Sequence, residues 1–271
     1  MMESQRRLTE KQKKDQAQHF LSYKEQRAFK HIQNFTDHYQ LIKEIGNGAF
    51  GSVHLGKHKK SDVPCAIKKI TKRSLKVANV YQELNTNELN VLEDTVHPHI
   101  TRVFELMEDS RCYYIIMELV SGGNLFDMIK QEKQFSEEKA ASSIKQLCLA
   151  LNYMHGLNIM HRDLKPENLL CEKNDDGQVM VKLTDFGFAT YFDPDKPQTL
   201  SLGSPLYMAP ELCNETQYDN KVDVWATGII TFALLTGTAP FSGRTKQEIY
   251  NSVNTREPDY TRLRNASPTA T

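Results

Sequence analysis

The 271-residue sequence lacks a long apolar run, a cysteine framework and an excess of charge of either sign. No apolar run approaches the roughly 20 residues that a membrane-spanning helix needs, so no membrane span is expected. Lysine and arginine number 34, as do aspartate and glutamate, which favours neither nucleic acid nor an anionic membrane as a partner. The five cysteines have neither the CxxC spacing of zinc sites nor a disulfide pattern, and the first residues are unlike the apolar core of a signal peptide. A reducing, cytoplasmic location is therefore expected.

Residues 1–36 contain neither glycine nor proline and are rich in Gln, Lys and Glu. Apolar residues recur there at helical spacings, namely Leu21, Ala28, Ile32 and Phe35. The pattern predicts a polar helical extension with a thin apolar face, and the alternative is a solvated, partly disordered arm. A sharper hypothesis is that Phe20, Tyr23 and Phe29 dock on the following domain or on a partner.

A glycine-rich turn lies between two predicted strands. YQLIKEIG and SVHLGKH are typical of strands, and GNGAFG between them is typical of a turn. Gly46, Gly48 and Gly51 have the GxGxxG spacing, which dinucleotide-binding proteins also use. In those proteins the glycines open a helix, whereas here they lead into a strand. We therefore expect a hairpin whose backbone amides approach phosphate oxygens.

Lys68 lies within the apolar run VPCAIKKI. An unpaired buried ammonium group is costly, so this lysine is expected to bind anions. The helical run 77–94 offers Glu83, Glu88 and Glu93 as partners. The alternative is a lysine at a strand edge that faces water.

The octet His161–Asn168, HRDLKPEN, places an acid, a cation and an amide within one loop. Phosphoryl transfer to a hydroxyl needs such groups together. Asp163 could orient the hydroxyl, Lys165 could steady the phosphoryl group and Asn168 could hold a metal ion. Asp185 follows a predicted strand and precedes a glycine, which lets the turn aim its carboxylate inward. The alternative is a charged surface loop.

Strand patterns dominate the first part of the sequence and helical patterns the second. Residues 97–119 predict strand, turn and strand, and residues 135–155 predict a long helix central to a helical lobe. A further helix carries VDVWATGIITFALLTG. The expected fold class is therefore α+β.

Five motifs follow one another along the chain: the glycine hairpin, AIK, HRDLKPEN, DFG and APE. In this order they resemble the eukaryotic protein kinase family over residues 39–265. The resemblance implies a bilobal protein kinase fold with a small β-rich N-lobe and a larger helical C-lobe. After the extension 1–36 it implies a kinase domain at 37–271, with lobes at 37–119 and 120–271.

The resemblance also implies which residues contact ATP and Mg²⁺. Lys68 matches the lysine that holds the α- and β-phosphates, and Glu88 matches its partner. Asp163 matches the catalytic aspartate, while Asn168 and Asp185 match the Mg²⁺ ligands. The residues implied at the nucleotide are Ile45, Gly46, Asn47, Gly48, Gly51, Val53, Ala66, Lys68, Glu88, Met117, Glu118, Val120, Leu170 and Asp185. Catalysis is assigned to Asp163, Lys165, Asn168 and Lys68.

Three further features follow from the same resemblance. The stacked apolar spine of the family is matched by Leu92, Val103, His161 and Phe186, with Asp223 at its base. Lys165, two residues after Asp163, matches serine/threonine kinases, and Ser204 matches the hydroxyl that binds the catalytic aspartate and lysine in them. Protein serine and threonine hydroxyls are therefore the expected acceptors. DFGFA and GSPLYMAPE look most like the calcium/calmodulin-dependent or autophagy-initiating kinases.

The activation loop departs from the family pattern. Arg162 matches the arginine that usually binds an activating phosphate. Leu200 stands where the family commonly carries threonine, and Thr190 where a second phosphate-binding cation is often found. Thr199 and Ser201 remain candidate phosphorylation sites. We expect activity to depend little on phosphorylation of this loop.

The substrate-binding positions depart from the pattern as well. Asn124 replaces a glutamate of kinases that prefer upstream arginine, whereas Glu167 remains as an acidic contact. A weakened preference for basic sequences is expected, with Leu206 indicating an apolar pocket for the residue after the target.

The carboxyl end also departs from the family, because the sequence stops where two more helices are expected. The C-lobe is therefore expected to be truncated, leaving Glu211 without its usual arginine. A regulatory segment or partner downstream of the chain end is the corresponding expectation. Alternatives to an active protein kinase are a pseudokinase or scaffold module and a small-molecule kinase. The first usually lacks Lys68, Asp163, Asn168 or Asp185, and all four are present.

Overall fold

The computed structural model of the chain describes residues 30–48, 51–73, 95–174, 177–263 and 267. These residues form two compact units. The first reaches to Val96 and includes Thr101–Ser121, and the second comprises His97–Ile100 and the chain from Gly122 onward. No helix in the described part of the chain is both long enough and apolar enough to cross a membrane.

The first unit is built on one twisted sheet. Its strands are β1 (Lys30–His31), β2 (Tyr39–Gly48), β3 (Gly51–His58), β4 (Pro64–Thr71), β5 (Val103–Glu108) and β6 (Cys112–Met117). They lie in the order β1-β5-β6-β4-β3-β2. Strands β2 to β6 pair with antiparallel neighbours, and β1 adds to the edge of β5 in parallel.

The end of the predicted amino-terminal extension packs against this sheet. Phe35 is buried and stacks on Tyr114 with ring centroids 3.9 Å apart, and Ile32 joins the same apolar cluster. The predicted helix is wrong for residues 30–37, which form β1 and a 3-10 turn at Phe35–Asp37. The open edge of β5 supplies the reason, since the Ile32 amide donates to the Glu108 carbonyl at 2.9 Å. The proposed docking residues Phe20, Tyr23 and Phe29 lie outside the described residues.

The second unit is mainly helical. Its helices are α1 (Leu125–Glu132), α2 (Glu137–Gly156), α3 (Pro210–Cys213), α4 (Lys221–Thr236) and α5 (Lys246–Thr255). Its short strands are β7 (Ile159–Met160), β8 (Leu169–Lys173), β9 (Val179–Leu183) and β10 (Thr190–Tyr191). Antiparallel pairs join β8 to β9 and β7 to β10. The predicted α+β class is confirmed.

Helix α2 is the central support of the second unit. Ser136 caps it by accepting a hydrogen bond from the Lys139 amide at 3.3 Å, and its buried stripe packs against α4 and β9. The side chain of Gln146 donates to the Val179 carbonyl at 2.9 Å and accepts from the Val181 amide at 2.8 Å. This helix therefore fixes strand β9, which leads directly to Asp185.

Candidate active site

Asp163 is the centre of a hydrogen-bonded cluster in the loop between β7 and β8. Its side chain is buried, with 4% exposure. Oδ1 accepts from the Ser204 amide at 2.9 Å and from the Ser204 hydroxyl at 2.8 Å, and Oδ2 accepts from Lys165 Nζ at 2.7 Å. Lys165 Nζ also donates to the Ser204 hydroxyl oxygen at 3.0 Å. A hydroxyl is thus held between a carboxylate and an ammonium group, where each reinforces the other's hydrogen bond.

Asn168 is oriented by the same loop. Its Nδ2 donates to the Asp163 carbonyl at 2.9 Å and lies 3.3 Å from Asp163 Oδ2. With the amide nitrogen engaged, the amide oxygen remains the ligand atom of this side chain. Thr184, the neighbour of Asp185, donates its amide to the Asn168 carbonyl at 2.9 Å. The backbone therefore brings Asp185 beside the loop that carries Asp163 and Asn168, the predicted catalytic loop.

The donor set of Asn168 and Asp185 fits a hard divalent cation. An amide oxygen and a carboxylate are the ligands that Mg²⁺ uses, usually completed by water and substrate phosphates. Asp185 has a φ of 62°, an uncommon left-handed conformation for a non-glycine residue. Within the described residues, no group of three His, Cys, Asp or Glu side chains makes a self-contained metal cage.

Asp223, near the start of α4, holds the backbone of the loop that carries Asp163. It is 1% exposed and accepts hydrogen bonds at 2.9 Å from the amides of His161 and Arg162 and from His155 Nε2. Three donors compensate the buried carboxylate. They also hold Arg162 at a φ of 66°, the conformation that precedes Asp163. The ring of His161 meets that of Phe186 at 5.3 Å between centroids, as the spine prediction requires of these two residues.

Gly203 brings Ser204 to the aspartate. Its φ is 118°, and a Cβ added here would lie 2.6 Å from the Arg162 carbonyl oxygen. Only glycine accommodates both this φ and this approach. The close contact between Gly203 and Arg162 therefore allows the Ser204 hydroxyl to reach Asp163.

Lys68 lies in the first unit, in the middle of β4. It pairs in register with Val53 of β3 and Ile115 of β6, and it is 5% exposed. The alternative of a strand-edge lysine facing water is therefore wrong. Its predicted partner Glu88 lies outside the described residues, as does Leu92 of the predicted spine.

The glycine hairpin that the sequence predicts is present in the first unit. Gly48 pairs with Gly51, Asn47 with Ser52 and Gly46 with Val53. At Gly51 a Cβ would lie 2.1 Å from the Lys69 carbonyl oxygen, so the neighbouring strand itself demands glycine. At Gly46 a Cβ would lie 3.9 Å from the Val53 Cβ, which is an ordinary contact. The sheet does not require glycine at that position.

Further predicted nucleotide contacts of the first unit lie on β2, on β4 and near the end of β6. Ile45 is 44% exposed, and Ala66 pairs with Met117, the last residue of β6. Glu118 is anchored at both ends, since its amide donates to the Arg102 carbonyl at 2.9 Å and its carboxylate accepts from the Arg102 amide at 2.7 Å. This pairing fixes the course of the chain towards Val120.

Leu170, the predicted contact in the second unit, lies in β8. It is half-buried there and pairs with Lys182 of β9. It also forms an isolated bridge with Asn124, so the chain before α1 fixes its position in the unit.

Two residues near the predicted substrate side have structural roles that the sequence reasoning missed. Asn124 is the N-cap of α1, accepting from the Asp127 amide at 2.9 Å; the N-x-x-D pattern was the available signal. Burial, reinforced by the nearby Glu167 carboxylate, raises the pKa of the Tyr207 phenol.

The carboxylate of Glu211 was expected to lack its usual arginine. No ion pair to it occurs among the described residues of the second unit. The turn after α3 uses its backbone instead, because the Glu211 carbonyl accepts from the Thr216 amide at 2.9 Å.

Comparisons with known proteins identify the family of the chain. The family model described as the protein kinase domain matches residues 39–270. Myosin light chain kinase A of Dictyostelium discoideum is 40% identical over 215 residues, covering 79% of this chain and 72% of that protein. Calcium-dependent protein kinase 4 of Plasmodium berghei (strain Anka) is 39% identical over 221 residues, covering 82% of this chain and 42% of that protein.

A third relative is the serine/threonine-protein kinase DCLK3 of Mus musculus. It is 39% identical over 218 residues, which cover 80% of this chain and 27% of that protein. The chain thus spans about a quarter to three quarters of the length of these relatives. Both the fold and the calcium/calmodulin-type resemblance agree with these matches. The chain belongs to the protein kinase family and is a protein kinase domain of the serine/threonine type.

Proposed function

We propose that this domain transfers the γ-phosphoryl group of ATP to serine and threonine hydroxyls of protein substrates. The cluster of Asp163, Lys165 and Ser204 carries the proposal, because it already holds one serine hydroxyl between a carboxylate and an ammonium group. An acceptor hydroxyl presented to the same pair would be oriented in the same way. Positioning of this kind supplies most of the catalysis in phosphoryl transfer.

Asp163 is the residue that orients the acceptor. Its Oδ1 accepts a proton-bearing hydroxyl at 2.8 Å from Ser204, within the range that a general base or orienting group requires. Lys165 lies 2.7 Å from the other oxygen and is close enough to neutralise charge on the moving phosphoryl group. The serine/threonine preference is proposed from the resemblance of Lys165 and Ser204 to residues of serine/threonine kinases.

Asn168 and Asp185 are the residues that would hold Mg²⁺. When bound, the ion would neutralise the phosphate oxygens. The hydrogen bonds from Asn168 to Asp163 tie the metal-binding amide to the orienting carboxylate. A change at either residue is therefore expected to disturb both functions.

The first unit supplies the residues proposed for the phosphates. Lys68 is a buried cation on the central strand β4, and a buried ammonium group is stable only when anions compensate it. Gly46 has no packing reason to be glycine, which supports close approach of a ligand to the backbone at this point.

Protein substrates with a weak preference for basic residues are the proposed acceptors. Glu167 is exposed beside Tyr207, so it can meet a cationic substrate side chain. Asn124 is committed to capping α1, which leaves no second acidic contact at that position. Leu206 is half-buried in the turn Pro205–Tyr207 and supports an apolar pocket for the residue after the target.

We also propose that the domain works in the cytoplasm and that its activity depends little on phosphorylation of the activation loop at Thr199 or Ser201. All five cysteines are free thiols, as expected in a reducing compartment. Burial raises the pKa of the Cys65 and Cys171 thiols to about 12, so both stay protonated and unreactive at neutral pH.

Transfer of labelled phosphate from Mg²⁺-ATP to a generic protein substrate tests the proposal. The wild-type domain should incorporate phosphate, and Asp163→Asn should lower kcat by about a thousandfold, because an amide cannot accept the hydroxyl proton. Asp193→Asn, a change at an exposed carboxylate that pairs with Lys196, is the matched control and should retain wild-type kcat. Equal activity of wild type and Asp163→Asn would refute the assignment.

A further inference from the structure

Arg162 makes contacts that its usual role does not predict. The arginine that it resembles binds an activating phosphate, yet its buried guanidinium here contacts neutral oxygen atoms. Nε donates to the Phe188 carbonyl at 2.7 Å, and Nη1 donates to the Tyr218 hydroxyl oxygen at 3.1 Å. Phe188 belongs to the activation segment, defined as residues 185–211 from DFG to APE. The cation is thus partnered without a phosphate.

Tyr218 connects Arg162 to the middle of the activation segment. Its phenol is 4% exposed and donates to the Leu200 carbonyl at 2.7 Å while accepting from Arg162. Its backbone amide and carbonyl pair with those of Gln198 at 3.0 and 2.8 Å. Three hydrogen bonds therefore tie Tyr218 to residues 198–200, where the family commonly carries its phosphorylated threonine.

The surroundings of Arg162 favour a neutral partner over an anion. Thr190, at the position of a second phosphate-binding cation, is a buried uncharged residue in β10, paired with Met160. A phosphate carries up to about two negative charges, and one guanidinium compensates only part of that charge. The phenol of Tyr218 accepts a hydrogen bond from Arg162 without any modification of the chain.

We propose that Tyr218 is a positioning residue that takes the place of an activating phosphate. It couples residues 198–200 of the activation segment to Arg162, and through Arg162 to Asp163. The proposal deepens the proposed kinase function and rests on it. On this proposal, the buried phenol of Tyr218 keeps the activation segment ordered without phosphorylation.

The segment converges on Arg162 at three points. Phe188 contacts the guanidinium near the start of the segment, and Leu200 does so through Tyr218. Gly203 packs against the Arg162 carbonyl near the end and places Ser204 on Asp163. Because the backbone of Arg162 leads directly into Asp163, loosening one point changes the position of the orienting carboxylate.

Tyr218→Phe tests the coupling, because it keeps the ring and removes only the hydroxyl. The variant loses the hydrogen bonds of this hydroxyl to Arg162 and to the Leu200 carbonyl. We expect kcat to fall about tenfold, the factor for losing the bond to the charged guanidinium, with KM for ATP unchanged. Hydrogen exchange of the amides of residues 199–203 should accelerate. Leu200→Glu, which places an anion at the position of the usual phosphate, should not raise the kcat of the otherwise wild-type domain.

Tyr250→Phe is the matched control. This buried tyrosine of α5 directs its hydroxyl to Met208 Sδ at 3.2 Å, so the variant also loses a buried hydroxyl but leaves Arg162 untouched. It should retain wild-type kcat and wild-type exchange at residues 199–203. The comparison separates loss of positioning from a general loss of stability.

Two results would overturn the inference. The first is a Tyr218→Phe protein with wild-type kcat and wild-type exchange. The second is a Leu200→Glu protein whose kcat rises about tenfold or more. Such a rise would mean that Arg162 needs an anionic partner for full activity. A wild-type domain that transfers no phosphate would instead refute the proposed function, and the exchange experiment would still decide the coupling.

Discussion

Replacing Asp223 by Asn tests the support of the catalytic loop. The carboxylate uses two oxygens for three donors, with Oδ2 serving His155 and His161 and Oδ1 serving Arg162. An amide has one acceptor oxygen. When that oxygen takes the place of Oδ2, the amide NH₂ faces the Arg162 N–H, and both are donors.

The magnitude follows from the buried N–H that loses its acceptor. Such an orphaned group costs about 1–3 kcal/mol, and the lost bond was charge-assisted. We therefore expect Asp223→Asn to lower the free energy of unfolding by about 2–3 kcal/mol. For a domain of this size the corresponding fall in Tm is about 5–10 °C. The kcat should fall by about 10–100-fold, because Arg162 and hence Asp163 shift.

Thermal unfolding and steady-state kinetics measure the two effects. Asp219→Asn is the control, since the carboxylate of exposed Asp219 accepts from the Lys221 amide at 2.8 Å, and Asn replaces Asp well in that role. It should change Tm by less than about 2 °C, because surface changes have small effects. The reasoning would be refuted by an Asp223→Asn protein with the Tm and kcat of wild type.

Two further predictions concern a glycine and a carboxylate. Gly203→Ala should destabilise the domain by about 1–3 kcal/mol and lower kcat, because its Cβ would meet the Arg162 carbonyl. Gly228→Ala in α4, where a Cβ meets nothing, should stabilise the domain by about 0.5–1 kcal/mol. Equal Tm values for the two variants would contradict this prediction. Burial alone would raise the pKa of Asp109, but donation from Arg111, Cys112 and Tyr114 outweighs it and lowers that pKa below the ordinary 3.8. A depressed carboxyl pKa stabilises the fold above that value, so Asp109→Asn should cost about 1 kcal/mol at pH 7. Urea unfolding measures the difference in free energy of unfolding between wild type and Asp109→Asn, which should become smaller as the pH falls below 3.8. A difference that grows at low pH would show that the direction of the pKa shift is wrong.

The catalytic loop was the part most accessible from sequence. Asp163 and Asn168 contact each other within one loop, so the spacing of the octet alone determines which side chains can meet. Ser204 lies 41 residues away from Asp163, and only the family resemblance predicted that contact. Local geometry and resemblance together were sufficient here.

The strand and turn at residues 30–37 could not be predicted from the spacing of apolar residues. Ile32 and Phe35 are three residues apart, which suits a helix, but the edge of β5 offers backbone partners and Tyr114 offers a ring to stack on. Tertiary pairing prevailed over local pattern. The role of Tyr218 was hidden for a related reason, since its partner Arg162 is 56 residues away and no spacing links the two.

The acceptor specificity of phosphate transfer tests the central claim most directly. Three peptides that differ only in a serine, threonine or tyrosine at the target position would be assayed with Mg²⁺-ATP and the wild-type domain. The hydrogen bonds among Asp163, Lys165 and Ser204 predict phosphorylation of the serine and threonine peptides, with kcat/KM for tyrosine lower by about a hundredfold or more. Equal phosphorylation of the tyrosine peptide, or transfer to none of the three, would contradict the account.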